Sequence, residues 1–78
     1  MKKKKLLEAF ARNLRYLRSE RDMTLRELAD ALKIGRSTLS EYENAETDPS
    51  LTTVKKIADY FGENVNWLVG DTDKRRGW

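Results

Sequence analysis

The chain has 78 residues, contains neither cysteine nor histidine, and carries a formal net charge of +3. The two absences exclude disulfides, the usual zinc ligand sets and the commonest general base, so we expect no enzyme, no metal site and no cofactor. No apolar run approaches the roughly 18 residues of a membrane span, and the start MKKKKLL lacks the apolar region of a signal peptide. Together these features predict one cytoplasmic domain that does not span a membrane.

The N-terminal quarter carries most of the positive charge and predicts the first helix. Residues 1–21 contain eight Lys and Arg against Glu8 and Glu20, a local charge of +6, which favours an anionic partner such as nucleic acid or a membrane surface. For the lysines at 2–5, a disordered solubilising tail is an equally good interpretation. Three- and four-residue spacing predicts an amphipathic helix over residues 4–21. Its inward residues are Leu6, Leu7, Phe10, Leu14 and Leu17.

The second predicted helix begins with a capping signal. In TLRE, the Thr24 hydroxyl can accept from the backbone N–H of Glu27, whose carboxylate can accept from the backbone N–H of Thr24. We therefore predict a helix over residues 25–32. Its inward residues are Leu25, Leu28, Ala29 and Leu32.

A turn at residues 33–35 separates this helix from a third one, predicted over residues 36–43. The small side chain of Ala29 allows the two helices to approach closely, and Leu39 and Tyr42 anchor the third helix to the core. Two helices broken so abruptly must share one core at an angle. The N-terminal half of the third helix is therefore expected to be exposed.

Caps and stop signals define two more helices. Ser50 caps a helix over residues 51–61 that Gly62 ends, and Asn64 caps a short helix over residues 65–69. No segment alternates with period two for long enough to form a strand. The predicted fold is all-α, a compact bundle of five helices. Its boundaries are a basic tail at 1–5, a folded domain at 6–70 and a polar tail at 71–78.

The exposed start of the third helix has the side chains of a DNA-reading element. Such a helix fits the major groove of B-DNA, which is about 12 Å wide. Arg36 can donate two hydrogen bonds to guanine or bind a phosphate, and Ser37 can contact bases or the DNA backbone. Glu41, where it faces the groove, can accept from a cytosine amine. Other polar side chains are candidates for backbone phosphates, although a solvated charged face explains Arg15 equally well. These candidates are Arg15, Arg26, Thr38, Ser40 and Asn44.

At these residues the sequence resembles the helix-turn-helix domain of Cro-like and Xre-like, phage-repressor-type regulators. The matching segments are NLRYLRSERDMTLRELADAL, STLSEYEN and DPSLTTVKKIADYFGENVNWLVG. The resemblance implies a lambda-repressor-like fold with the motif at helices two and three. It implies a transcriptional regulator, a repressor, that binds a palindromic double-stranded DNA operator as a two-fold dimer. It also implies base reading by Arg36, Ser37 and Glu41 and a structural ion pair between Arg18 and Glu43.

The chain departs from the family's pattern at four positions. Leu25 stands where a glutamine usually holds a phosphate, and Gly35 stands where Ser or Thr usually caps the third helix. Lys33 and Ala45 stand where glycine is usual. At Lys33 a positive φ is expected, which costs a non-glycine residue about 1 kcal/mol.

One reading helix contacts too few base pairs for useful discrimination, so a weak homodimer is also expected. The candidate interface is the apolar fifth helix, with Val65, Trp67 and Val69, although completing the core is an alternative role for Trp67. The competing function is a protein–protein adaptor on the same fold, such as an antitoxin or anti-repressor partner. No small-molecule substrate is evident.

Overall fold

A computed structural model describes residues 3–73 and 75 of the chain. Within that part it forms five helices and no strand, which confirms the predicted all-α class. The helices are α1 (Lys3–Glu20), α2 (Leu25–Leu32), α3 (Arg36–Glu43), α4 (Leu51–Phe61) and α5 (Val65–Leu68). None of the helices in the described residues is both long and apolar enough to cross a membrane.

One hydrophobic core joins all five helices. α1 packs against α3 and α5, α2 packs against α3 and α4, and α4 packs against α5. Each helix contributes apolar side chains to the centre, and burying one leucine contributes about 1.5–3 kcal/mol. The side chains with 0% exposure are Leu14, Leu28, Leu39, Ile57, Ala58 and Leu68. Apolar spacing predicted the core residues of the first four helices but did not single out Leu68 of α5.

The first two turns of α1 depart from the predicted pattern. The helix begins at Lys3, inside the range assigned to a basic tail. Leu6 belongs to the predicted apolar face of this helix, yet it remains 36% exposed. This end of α1 extends past the packed centre, where Leu6 borders a shallow groove together with Pro49 and Val69. Helical periodicity selects a face but does not say how far along the helix other elements cover it.

Local capping fixes where the helices begin. The Thr24 hydroxyl accepts from the Glu27 backbone N–H at 3.0 Å, and the Glu27 carboxylate accepts from the Thr24 N–H at 2.8 Å. This is the predicted capping box. Ser50 caps α4 by accepting from the Thr53 N–H at 3.1 Å. These bonds satisfy backbone donors that have no partner inside the helix.

The turn between α2 and α3 has the predicted strained conformation. Lys33 adopts the left-handed region, with φ 57° and ψ 43°. The Ile34 N–H then donates to the Ala29 carbonyl at 3.0 Å and closes the end of α2. Gly35 starts α3 at φ −60° and provides no side-chain cap. Ala45 also has a positive φ, 58°, at the end of α3.

We expect Lys33→Gly to stabilise the domain by about 0.5–1 kcal/mol, because relief of the left-handed strain exceeds the added chain entropy of glycine. Urea denaturation followed by circular dichroism measures the change. Ala31→Gly is the matched control, since Ala31 is an exposed residue inside α2 and glycine should destabilise the chain there. Destabilisation by both substitutions would contradict the strain at Lys33.

Candidate nucleic-acid interface

The helix α3 is held to the body along one side only. Leu39 is fully buried, and Tyr42 packs its ring edge-on against Phe10 with the ring centres 5.9 Å apart. Ala29 is buried on α2, where its methyl group leaves room for the neighbouring helix. These contacts fix the rotation of α3 about its own axis, so they decide which of its side chains reach solvent.

The exposed side of α3 carries the three predicted base-reading residues. Arg36, Ser37 and Glu41 are all exposed. Ser37 and Glu41 are four residues apart and share one helical face, with Arg36 beside them at the start of the helix. The structure therefore brings together a cation with several donors, a hydroxyl and a carboxylate acceptor. Thr38 and Ser40 are half-buried at the edges of this face.

A buried ion pair joins α1 to the C-terminal end of α3. Arg18 Nε donates to Glu43 Oε2 at 2.7 Å, and Arg18 Nη2 donates to Glu43 Oε1 at 2.9 Å. Glu43 is 5% exposed, and Arg18 also donates to the Met23 carbonyl at 2.9 Å. The hydrogen bonds that Arg18 donates to Glu43 raise the pKa of Arg18, so the guanidinium stays charged at every ordinary pH. The ion pair fixes the C-terminal end of α3, whereas the turn at residues 33–35 fixes its N-terminal end.

The predicted phosphate contacts fall into two groups. Arg26 lies exposed in the first turn of α2, and Asn44 lies exposed just after α3, where its Nδ2 donates to Ser40 Oγ at 3.4 Å. Arg15 instead donates from Nη1 to the backbone carbonyl of Glu43. Leu25, at the position where the family usually has glutamine, is half-buried against the core. Arg15 and Asn44 thus each donate to a protein partner, while all three of these donors are exposed.

The three candidate dimer residues share the same degree of burial but differ in their neighbours. Val65, Trp67 and Val69 are all half-buried against the core. The indole of Trp67 lies edge-on to Tyr16, with the ring centres 6.4 Å apart. Leu51, which the sequence did not single out, is 81% exposed at the start of α4. A groove of about 410 Å³ lies beside it, lined by Leu51, Thr52, Lys55 and Val65.

Three important polar residues were missed by the sequence analysis. Asn13 is 7% exposed, and its Nδ2 donates to the carbonyls of Trp67 at 2.7 Å and Leu68 at 3.3 Å. Asn13 lies on the inward side of α1 between apolar neighbours, and this position in the sequence could have indicated a buried polar residue. Glu63 and Arg75 contact each other from opposite ends of α5, and no local pattern pointed to either. Among residues 3–73 and 75, no cluster of acidic side chains is arranged to hold a metal ion.

Comparison with known proteins gives one family and several relatives. A family model described as helix-turn-helix matches residues 14–68. The chain is 36% identical over 64 residues to the cryptic phage CTXphi transcriptional repressor RstR of Vibrio cholerae, covering 82% of this chain and 58% of that protein. It is 39% identical over 56 residues to the HTH-type transcriptional regulator DdrOP3 of Deinococcus deserti, covering 72% and 43%.

A third relative is the immunity repressor protein of Bacillus phage phi105, at 33% identity over 58 residues, which covers 74% of this chain and 40% of that protein. The chain spans about half the length of these curated relatives. No solved structure gives a significant match. The matched region contains α2 and α3 together with the packed part of α1.

Proposed function

Because this chain belongs to the helix-turn-helix family whose model matches residues 14–68, we propose that it is a sequence-specific, double-stranded DNA-binding transcriptional repressor. Membership confirms the resemblance to Cro-like and Xre-like regulators, since phage repressors are among the relatives. It also supports the expectation that the chain is not an enzyme. We place its action in the cytoplasm, at the nucleoid.

The exposed face of α3 carries the proposal. Leu39 and Tyr42 anchor this helix from one side, and the opposite side bears the exposed Arg36, Ser37 and Glu41. In the major groove, Arg36 donates two hydrogen bonds to guanine O6 and N7. Glu41 accepts from the N4 amine of cytosine, and its charge disfavours bases that present an acceptor. The Arg36 contact adds affinity for guanine, and the Glu41 contact discriminates against bases other than cytosine. Together the two residues read the DNA sequence.

Backbone phosphates fix the register of the reading helix. We assign this role first to Arg26, in the first turn of α2, and to Asn44, just after α3, which are both exposed. Thr38 and Ser40 contribute hydroxyls at the edges of the face. Arg15, which is exposed and donates to the Glu43 carbonyl, is a further candidate for a phosphate contact.

A two-fold dimer would let two copies read a palindromic operator, with half-sites about 34 Å apart on one face of the DNA. We place the weak interface at Val65 and the neighbouring Leu51, because Val69 lines a different groove, beside Leu6 and Pro49. An 81% exposed leucine beside an apolar groove is complementary to the same pair in a second copy. Trp67 is less suited to this role, because Tyr16 already packs against its ring.

A salt titration tests the proposal against the adaptor alternative. We expect the logarithm of the affinity for duplex DNA to fall linearly with the logarithm of the salt concentration, with a slope of about −0.9 for each phosphate contacted. Fluorescence anisotropy with a labelled duplex measures the slope, and Arg26→Gln should make it shallower by about one. A flat response with the folded protein would remove the DNA-binding function and favour a protein partner.

A further inference from the structure

The guanidinium of Arg75 is enclosed by four side chains on the flank of α1. Its carbon lies 4.7 Å from the ring centre of Trp67 and 5.3 Å from that of Tyr16. Nη2 and Nη1 donate to the two oxygens of Glu20 at 2.9 and 3.3 Å. Nε donates to Glu63 Oε2 at 3.1 Å, and Nη2 donates to the same oxygen. Two carboxylates and two aromatic rings thus surround one planar cation.

The four contacting residues come from three different parts of the fold, and the packed domain holds Glu63 and Trp67 in place. Tyr16 and Glu20 are one helical turn apart on α1, so their side chains share a face. The side chain of Glu63 is 0% exposed, and its backbone N–H donates to the Ala58 carbonyl at 2.8 Å, closing the end of α4. Trp67 lies on α5, and its backbone carbonyl accepts a hydrogen bond from Asn13 Nδ2. The enclosure is therefore built by the packed domain.

We propose that these four residues form a binding site for a guanidinium group, and that the chain fills it with its own Arg75. The guanidinium site is Tyr16, Glu20, Glu63 and Trp67. A guanidinium presents several N–H donors in a rigid plane, which matches a carboxylate that accepts two of them, while its faces are attracted to aromatic rings. An ammonium ion has no plane to place between the rings and the carboxylates, so the site selects arginine over lysine.

The segment that carries Arg75, described at residues 70–73 and 75, is fitted closely to the flank of α1. Gly70 has φ 81°, and a Cβ atom there would lie 2.5 Å from the Cβ of Ala9. The Asp71 N–H donates to the Asn66 carbonyl at 2.7 Å. From Ala9 the segment reaches Glu20, three helical turns further along α1. Only glycine allows the backbone at residue 70 to lie this close to Ala9. Gly70 thus fixes the start of the segment on α1, and the contacts of Arg75 fix its end.

The guanidinium site and the candidate DNA surface lie on different faces of α1. Arg15 and Arg18 point towards Glu43 of α3, whereas Tyr16 and Glu20 point towards α5 and Arg75. At 3.6 residues per turn these two pairs are separated around the helix axis. The guanidinium site is therefore independent of the proposed function. If no guanidinium binds there, the DNA-binding proposal is unaffected.

Removing Arg75 should leave a site that takes a guanidinium from solution. Arg75→Ala deletes an ethylguanidinium group, so N-ethylguanidinium replaces the missing atoms. We expect the Arg75→Ala chain to melt at a lower temperature than the natural chain. At a ligand concentration about five times the dissociation constant, mass action should raise its Tm by roughly 4–8 °C. The natural chain, whose site is filled, should not gain this increase.

N-ethylammonium, which has the same charge but no planar fork, is the control ligand and should give no comparable increase. Equal effects of the two ligands, or equal effects on the variant and the natural chain, would overturn the proposal. Adding Glu63→Gln to Arg75→Ala should abolish the rescue, because the buried carboxylate is then gone.

A second measurement reports binding directly and does not depend on melting. In a Trp78→Phe background, Trp67 is the remaining tryptophan. Titration of N-ethylguanidinium into the Arg75→Ala chain, at a temperature where circular dichroism shows the chain to be folded, should change its fluorescence with saturation. A linear, non-saturating response equal to that of the chain with Arg75 intact would also overturn the guanidinium site.

Discussion

Glu43→Ala should lower the free energy of unfolding by about 2–3 kcal/mol, because it leaves the Arg18 guanidinium partly buried beside no carboxylate. Glu43 is 5% exposed and accepts two hydrogen bonds from Arg18, at 2.7 and 2.9 Å. For a domain of this size, the loss corresponds to a fall in Tm of about 10–20 °C. Thermal denaturation followed by circular dichroism measures it.

The matched control for this substitution is Glu41→Ala. Glu41 lies two residues earlier on the same helix but is exposed, so the change in stability should stay within about 0.5 kcal/mol. A double-mutant cycle with Arg18→Ala isolates the interaction, with an expected coupling of about 1–3 kcal/mol. An unchanged Tm for Glu43→Ala would contradict a structural role for the pair.

Arg36→Ala should weaken binding to the operator by about 1–3 kcal/mol, a loss of roughly 5- to 150-fold, and relax the preference at one base position. The physical reason is the loss of a bidentate contact to guanine, which no neighbouring side chain of α3 can replace. The operator is first obtained by selecting bound sequences from random duplex DNA. Competition between operator and scrambled duplexes then measures the change in specificity.

Two comparisons decide what the Arg36 result means. Lys56→Ala removes one exposed cation from α4 and should change operator binding far less. An equal loss on operator and scrambled DNA would show that Arg36 contacts only phosphate. The selected sequences test the dimer as well, since two inverted half-sites one helical turn apart are expected only if two copies bind together.

Most of the fold could be predicted because its signals are local. Apolar spacing located the helices, and caps such as the Thr24–Glu27 box placed their starts. The turn at Lys33 was predicted to be strained and has φ 57°. These features depend on residues within four positions of each other, so a single sequence contains the information. The same reasoning placed Arg36, Ser37 and Glu41 on the outer side of α3.

What only the tertiary structure decided involves residues far apart in the chain. The periodicity of α1 could not show that Leu6 lies beyond the packed centre, because coverage depends on where the later helices cross it. Arg15 reaches the Glu43 carbonyl, and Arg75 reaches Glu20 across 55 positions of sequence. Water can solvate a charged side chain at any exposed position. The spacing of charged residues in the sequence therefore does not reveal their protein partners. The sequence thus determined the helices and the exposed side of α3, whereas the partners of Arg15 and Arg75 were decided by the packing of segments far apart in the chain.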